Sequence, residues 1–303
     1  MTPGPTPPEN RDSIPQSLWL NNPAGPATEP HLRAALADAL ACQGGMMRAG
    51  LIMQAAGRHA LDPAVASHLA CAVEYWHQAS LILDDLPCMD DAEQRRGRPS
   101  LHRTHGEATA ILAALALINR AYALVQRAFL ADNADVRLGA LALIDEALGP
   151  DGMLSGQAWD LRFGGGPQGV REVGRIAWHK TGALLRLTLS LPLLPSGAWQ
   201  RENRTLRAVC LYWALAYQAL DDLCDVTTAA NGSGKTSGRD AALRRPNLTI
   251  ALGAELAGRR IGRLLALAHQ RLEALVRRDE KWSYLLDCHE RLFVARYRLL
   301  VAA

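Results

Sequence analysis

The sequence predicts an all-α protein, a single helical bundle closed around a deep central cavity. Three observations carry this. The chain is 49% hydrophobic but only 5% aromatic, with Ala and Leu plentiful, a balance that favours helix over sheet. Apolar residues recur at three- and four-residue steps, as at Leu32, Ala35, Leu36 and Leu40, which is the spacing of one helix face. No segment of any length alternates with the two-residue period of a strand.

The chain has 303 residues, enough to bury a sizeable core in one large domain. Residues 1–28 are rich in Pro, Asn, Thr and Gly and are expected to form a flexible tail. The domain then runs over 29–303. The net charge is +3, and no basic stripe is interleaved with aromatics, so nucleic acid is not an expected partner. Six cysteines are scattered without a C-x-x-C pair. They read as reduced thiols of a cytoplasmic protein, not as a zinc site or disulfide frame. The N-terminus lacks the charged-then-apolar order of a signal peptide. No apolar run reaches about 18 residues without a charge or Pro break, so no membrane span is expected.

Taken in order, a helix starts near His31, and Gln43-Gly-Gly-Met-Met-Arg48-Ala-Gly-Leu51 breaks it and begins another. Glycines there let backbone approach a ligand closely. A long apolar helix follows and ends in Asp84-Asp85-Leu-Pro-Cys-Met-Asp90-Asp91, with Arg95 and Arg96 directly behind. Acid beside base at this density points to carboxylates holding a divalent metal and arginines holding phosphate. Hard oxygen ligands of this kind suit Mg²⁺. Pro87 cannot donate a backbone hydrogen bond, so the helix must distort or end close by and let Asp90 swing back toward Asp84. Apolar helices continue through Val125 and Leu130 and from Val136 to Leu148, and Pro150-Asp-Gly marks a turn. Gly156-Gln-Ala-Trp-Asp-Leu161 precedes a Gly164-Gly-Gly-Pro167 loop, and a further helix carries His179-Lys180-Thr181-Gly182. Gln218, Asp221, Asp222 and Asp225 lie at steps of three, four and seven. That puts all four on one stripe of a helix. Buried carboxylates so placed require a counter-charge. Gly232-Ser-Gly-Lys235-Thr-Ser-Gly-Arg239-Asp240 reads as a mobile basic loop, and the helices from about Leu248 onward as scaffold.

Asp84-Asp85-Leu-Pro-Cys-Met-Asp90-Asp91 with Arg95-Arg96-Gly97, and Asp221-Asp222-Leu-Cys-Asp225 far downstream, resemble the two aspartate-rich motifs of the trans-isoprenyl diphosphate synthases. The resemblance runs from about Leu32 to the C-terminus. It implies a prenyltransferase that condenses isopentenyl diphosphate with allylic diphosphates, with Mg²⁺, three ions per site, as cofactor. It assigns metal coordination to Asp84, Asp90, Asp221 and Asp225, with Asp85 and Asp222 supporting catalysis. Arg95 and Lys180 fall to the allylic diphosphate, Thr181 and Gln218 to substrate binding, and Lys235, from a lid, completes the diphosphate site. Arg48, His77 and Arg96 fall to isopentenyl diphosphate. A homodimer is implied too, with the apolar Ile111–Leu130 helix as the expected contact.

Two departures stand out. Aligned on Arg48, the family's Gly-Gly-Lys-x-x-Arg segment has Gly45 where its lysine belongs, and Ala114-Leu115 replace its Gly-Asp pair. The missing ammonium removes a charge-assisted contact of roughly 1.5–3 kcal/mol. It leaves open an allylic diphosphate lyase or terpene cyclase on the same fold. Intact aspartates at both motifs argue against a catalytically silent subunit. Counting back from Asp84 at about 100° per residue, Ser80, Ala79 and Trp76 share one sector of the helix. Ser80 and Ala79 are small, and Trp76 sits about one turn, 5.4 Å, deeper. That depth is close to one isoprene unit and predicts a C20, geranylgeranyl-type product.

Overall fold

The computed structural model describes Ser17 and residues 21–163, 169–229 and 245–302, without the side chains of 227–229 and 302. The Gly164–Pro167 loop and the 232–240 segment with Lys235 lie outside the described residues. The first helix, α1 (Pro30–Ala41), starts where proline supplies the first helical position and the Glu29 carboxylate accepts from Leu32 N at 2.8 Å. This caps amides that would otherwise lack partners. α2 (Met47–His59) begins after Met46, which is left-handed at φ 48°. α3 (Pro63–Asp84) is capped by Asp62, whose carboxylate accepts from Ala64 N at 2.7 Å. It is a core helix, with Leu69, Val73, Tyr75, Trp76 and Ala79 all buried.

Between α3 and the next helices lies one feature absent from the sequence expectation. Gln94–Arg95 (β1) and Arg98–Pro99 (β2) pair antiparallel, with Arg95 opposite Arg98. The two residues between them, Arg96 and Gly97, both have positive φ, 54° and 76°. This is the backbone that the tightest hairpin turns require. α4 (Leu101–His105) leads into α5 (Glu107–Ala128), which packs along α3 through Ala110, Ala113, Ala114, Leu117, Ala121 and Leu124. Alanines on that face bring the two axes close together.

By length and apolarity alone α5 reaches the dimensions of a membrane span, unlike the uninterrupted-run expectation, and 39% of its most apolar window is buried. Its inner face is core. Ile111, Leu112, Leu115 and Tyr122 point outward, so Leu115, one of the two departures, lies on the exposed side.

α6 (Ala134–Leu148) is capped by Asn133. The expected turn at Pro150 is instead a π-type helical segment, Pro150–Leu154, running into α7 (Ser155–Leu161). Its kink is at Gly152, where a Cβ would sit 2.1 Å from the Ala147 carbonyl oxygen. α8 (Val170–Lys180) and α9 (Gly182–Ser190) meet at Thr181. α10 (Ala198–Ala229) is the longest helix described. It packs on α12 (Ala254–Arg278), with the short α11 (Leu248–Leu252) between them in sequence. α13 (Ser283–His289), a second π-type segment (Glu290–Val294) and α14 (Ala295–Ala302) close the chain.

Part of the expected tail is tied down. Arg120 Nε donates to Asn21 O at 2.9 Å, and Arg33 donates to Pro26 O at 2.8 Å. So 21–28 lie against the bundle, and apart from Ser17 the rest of 1–20 falls outside the described residues.

At the other end of the core, Trp213 Nε1 donates to His289 Nδ1 at 3.1 Å, and the indole stacks on Phe293. Burial drives the His289 imidazole down from 6.5 to about 4. The folded state therefore holds it neutral, while the unfolded chain would bind a proton below pH 6.5. Its contribution to stability is present above pH 6.5 and is lost as pH falls toward 4. Melting temperature should decline across that window. His289→Gln, which keeps an acceptor for Trp213, should give a visibly shallower decline. An identical slope in the variant would show that His289 carries none of it.

Candidate active site

The acidic stretch folds back on itself. α3 ends at Asp84, and the Asp90 amide then donates to the Asp84 carbonyl at 3.0 Å, while Ala92 N donates to Asp85 O at 3.0 Å. Asp90 is thus returned to the end of α3, as Pro87 predicts. Burial pushes the Asp84 carboxyl up to about 6; Lys180 draws it down, and Asp90 pushes it further up. Asp85 is buried and receives the Arg95 fork, with Nε at 3.0 and 3.2 Å from its two oxygens and Nη2 also bonded. Arg95, expected to face the allylic diphosphate, is here an internal partner of Asp85.

The opposite wall is built on the α8–α9 joint. Gly156 opens α7 against it: a Cβ there would lie 2.6 Å from Lys180 N. This close approach sets Asp160, one turn on, where its carboxylate accepts from Lys180 Nζ at 2.7 Å. The same ammonium stands 3.7 Å from Asp84 Oδ2. Burial works against its charge, but Asp84 and Asp160 outweigh that and hold Lys180 above the ordinary lysine range. The next residue, Thr181, donates to Gln218 Oε1 on α10 at 3.2 Å. One dipeptide therefore touches both acidic motifs, and the two lie on either side of it.

The aspartates of α10 do not all point one way. Asp222 is buried and accepts from Gln218 Nε2 at 2.9 Å and from Leu248 N at 2.7 Å, so it caps α11. Its bond to Gln218, one turn back, keeps it on the expected stripe, and its bond to Leu248 N fixes the wall there. Asp221 is half-exposed and ion-paired with Arg296 of α14, whose guanidinium also lies 5.5 Å from the Tyr217 ring centroid. Asp225 is partly buried one turn further along α10.

Four residues here were not among the sequence candidates. Asp160 was marked only by its place in Gly156-Gln-Ala-Trp-Asp. Arg245 donates to Asp90 at 2.6 Å, to Met89 O at 3.1 Å and to Asp160 O at 3.1 Å. Three residues later comes the Leu248 amide that Asp222 holds, so one short segment ties the first motif to the second. Arg296 and Glu74 are the others. No local pattern marks Arg245 or Arg296, because their partners are 155 and 75 residues away.

On the far side of α3, Arg48 Nη1 lies 3.4 Å from the His77 ring nitrogens. His77 Nδ1 lies 3.5 Å from Glu74 Oε2, and Glu74 accepts from Ala49 N at 3.1 Å. Burial opposes the charge on Glu74, but His77, Arg48 and the Ala49 amide outweigh it and hold Glu74 below the usual range. Arg96 donates to Cys42 O at 2.6 Å and lies flat on Gly44, where a Cβ would come within 2.5 Å of its Nη2. At Gly45 a Cβ would meet nothing within 4 Å. A small hollow opens here, lined by Gln43, Gly44, Glu74, Gln78 and Arg96 among others. Deeper on α3, Ser80 Oγ donates to His77 O at 2.9 Å, Ala79 is buried, and the buried Trp76 ring meets Tyr122 edge-on.

The donor set fits a magnesium site. Asp84, Asp90 and Asp221 offer hard carboxylate oxygens, each faced by one cationic side chain.

Residues 29–278 match the polyprenyl synthetase family. The chain is 36% identical to the farnesyl diphosphate synthase of Geobacillus stearothermophilus over 227 residues, 74% of this chain and 75% of that protein. It is 37% identical to the geranylgeranyl diphosphate synthase of Pantoea ananas over 210 residues, 68% of this chain and 66% of that protein. Among solved structures, the geranyltransferase of Helicobacter pylori complexed with magnesium and isoprenyl diphosphate aligns with a TM-score of 0.81 at 27% identity, covering 92% of this chain and 93% of that one.

Arg245→Leu leaves Asp90 without its cation. It should lower stability by about 1–3 kcal/mol in metal-free buffer. Added Mg²⁺ should then raise the melting temperature of the variant more than that of the parent. An equal magnesium response in both would place Asp90 outside the metal site.

Proposed function

The chain belongs to the polyprenyl synthetase family and is a trans-prenyl diphosphate synthase, and from that premise we propose that it extends allylic diphosphates with isopentenyl diphosphate to a C20 product. The observation that supports this most is the Lys180–Thr181 joint, which touches Asp84 of the first motif and Gln218 of the second. Asp84, Asp90, Asp221 and Asp225 would hold Mg²⁺, three ions in this reading. When bound, Mg²⁺ neutralises charge on the departing diphosphate.

Lys180 binds the allylic diphosphate and shares its growing negative charge as the carbon–oxygen bond ionises. Asp160 keeps that ammonium charged and aimed, and Asp85 fixes Arg95 at the rim. Lys235, whose segment lies outside the described residues, is the remaining diphosphate-binding residue of this reading, and exclusion of water protects the cation. Arg48, His77 and Arg96 orient isopentenyl diphosphate, with Glu74 holding the first two. Its double bond attacks the allylic cation, forming a carbon–carbon bond. A proton is then lost to the released diphosphate, since no side-chain base is evident among the described residues. Trp76 ends the hydrocarbon tunnel.

Radiolabelled isopentenyl diphosphate supplied with C5, C10 or C15 primers and Mg²⁺ should put label into a C20 diphosphate. A C15 end product would overturn the length assignment. A hydrocarbon made without isopentenyl diphosphate would support the lyase that Gly45 invites. In the same assay Trp76→Ala should give a longer chain, and an unchanged length would place the floor elsewhere.

Gly45 has room for a side chain and an ordinary backbone, so the lysine can be restored without strain. Gly45→Lys should lower KM for isopentenyl diphosphate by roughly 10- to 100-fold, the worth of one charge-assisted contact. KM for the allylic primer should stay put. If both constants move together, Gly45 is not in the isopentenyl pocket.

A further inference from the structure

We propose that the outer face of α12 and α14 is a membrane-surface site, which docks the protein on a bilayer carrying anionic lipid. This face is separate from the acidic pocket, and the inference does not depend on the product assigned above.

One contact sets the two helices side by side. Tyr297 Oη of α14 donates to Gly258 O of α12 at 3.1 Å, and a Cβ at Gly262 would lie 2.9 Å from that hydroxyl. With no side chain at Gly258 or Gly262, α14 lies close on α12. Leu256, Arg259, Arg260 and Arg263 recur on α12 at three- and four-residue steps, so they share one face. All four are exposed. On α14 the exposed side chains past the Tyr297 contact are Arg298, Leu299 and Val301.

Charge is the first argument for the occupant. Arg296 is turned inward onto Asp221. Residues 254–263 and α14 otherwise hold four arginines against one acid, Glu255, so this face alone equals the net +3 of the whole chain. Arg259 pairs with Glu255 at 2.9 Å, and Arg298 comes only within 4.0 Å of Glu290. Exposed pairs of this kind are worth little in water. Arg260 and Arg263 have neither an ion pair nor a hydrogen bond among the described residues. These guanidinium groups are therefore available to an external anion.

The apolar side chains are the second argument. Leu299 is 75% exposed, the most of any large hydrophobic side chain among the described residues, and Val301 and Leu256 follow at 58% and 47%. They are interleaved with the arginines. A protein interface is depleted of charge at its core, which this mixture does not offer to a second copy of the chain. A lipid surface uses both parts. Guanidinium groups meet lipid phosphates, while leucine and valine dip into the boundary beneath the headgroups.

The test is co-sedimentation of the full-length protein with vesicles in magnesium-free buffer at low salt. Vesicles of phosphatidylcholine with an equal part of phosphatidylglycerol should carry the protein down, and vesicles of phosphatidylcholine alone should not. Arg259→Gln with Arg263→Gln should weaken binding by about 5-fold for each arginine. Arg204→Gln with Arg277→Gln, which removes as much charge elsewhere, should bind as the parent does. Leu299→Ser with Val301→Ser should weaken binding several-fold at unchanged charge, a response that adsorption by charge alone would not give. Equal melting temperatures check that each variant is folded. Parental binding in either the Arg259–Arg263 or the Leu299–Val301 variant overturns the inference, as does an equal loss in the Arg204–Arg277 variant. No sedimentation with anionic vesicles overturns it too, and a parent dimer that the Leu299–Val301 variant splits would then give the face to a second copy.

Discussion

The site depends on the pairing of buried carboxylates with buried cations. Asp84, Asp90 and Asp160 converge at the end of α3, the turn after it and α7, and three acids drawn together in a partly dry space repel. The structure answers with Lys180 between Asp84 and Asp160, and Arg245 on Asp90. Neither cation is optional, since a carboxylate left alone there would protonate or drag water in. Asp84 shows how near the balance runs: even with Lys180 beside it, burial lifts it to about 6. A buried carboxylate of this kind is held ionised more readily by added positive charge, which is what a divalent cation would supply.

The pairing in turn rests on close backbone approach. Lys180 reaches Asp160 only because Gly156 lets α7 touch the α8–α9 joint. Asp90 returns to Asp84 only because Pro87 stops α3 and the turn closes with the Asp90 amide on the Asp84 carbonyl. Asp222, the α10 aspartate turned most fully inward, spends its oxygens on Gln218 and on the first turn of α11. It thereby fixes the segment from which Arg245 reaches the other motif. Two acidic motifs 137 residues apart in sequence are so held by a lysine–threonine step on one side and the four-residue Arg245–Leu248 link on the other.

What could be read in the chain beforehand follows from range. The helices were legible because their period is local, and so was the first motif, whose acids, proline and arginines lie within a few turns. The stripe on α10 was legible as a stripe, but not its division into Asp221 facing Arg296 and Asp222 facing Leu248, because that depends on what packs around the helix. Arg95 looked like a phosphate ligand from its position. That Asp85 would take its fork depends on the β1–β2 hairpin, two residues per strand and too short for any periodicity to show. Arg245 and Arg296 lacked a local signal altogether. Residues 21–28 looked like tail because their composition is that of a tail; the Arg120 and Arg33 side chains that hold them come from elsewhere.

The same accounting explains how the isopentenyl side can do without its lysine. Arg48 is buried against His77 and Glu74, and burial depresses its charge while Glu74 restores it. Two arginines still converge there, Arg48 from α2 and Arg96 from the hairpin turn. Arg96 lies across Gly44 beside the vacant Gly45 position. A guanidinium presents a planar fork of donors where an ammonium presents a point charge, so each retained arginine can meet two phosphate oxygens. In the function proposed above, loss of the lysine lowers the positive charge of the pocket without emptying it, and the expected consequence is a weakened grip on the homoallylic diphosphate.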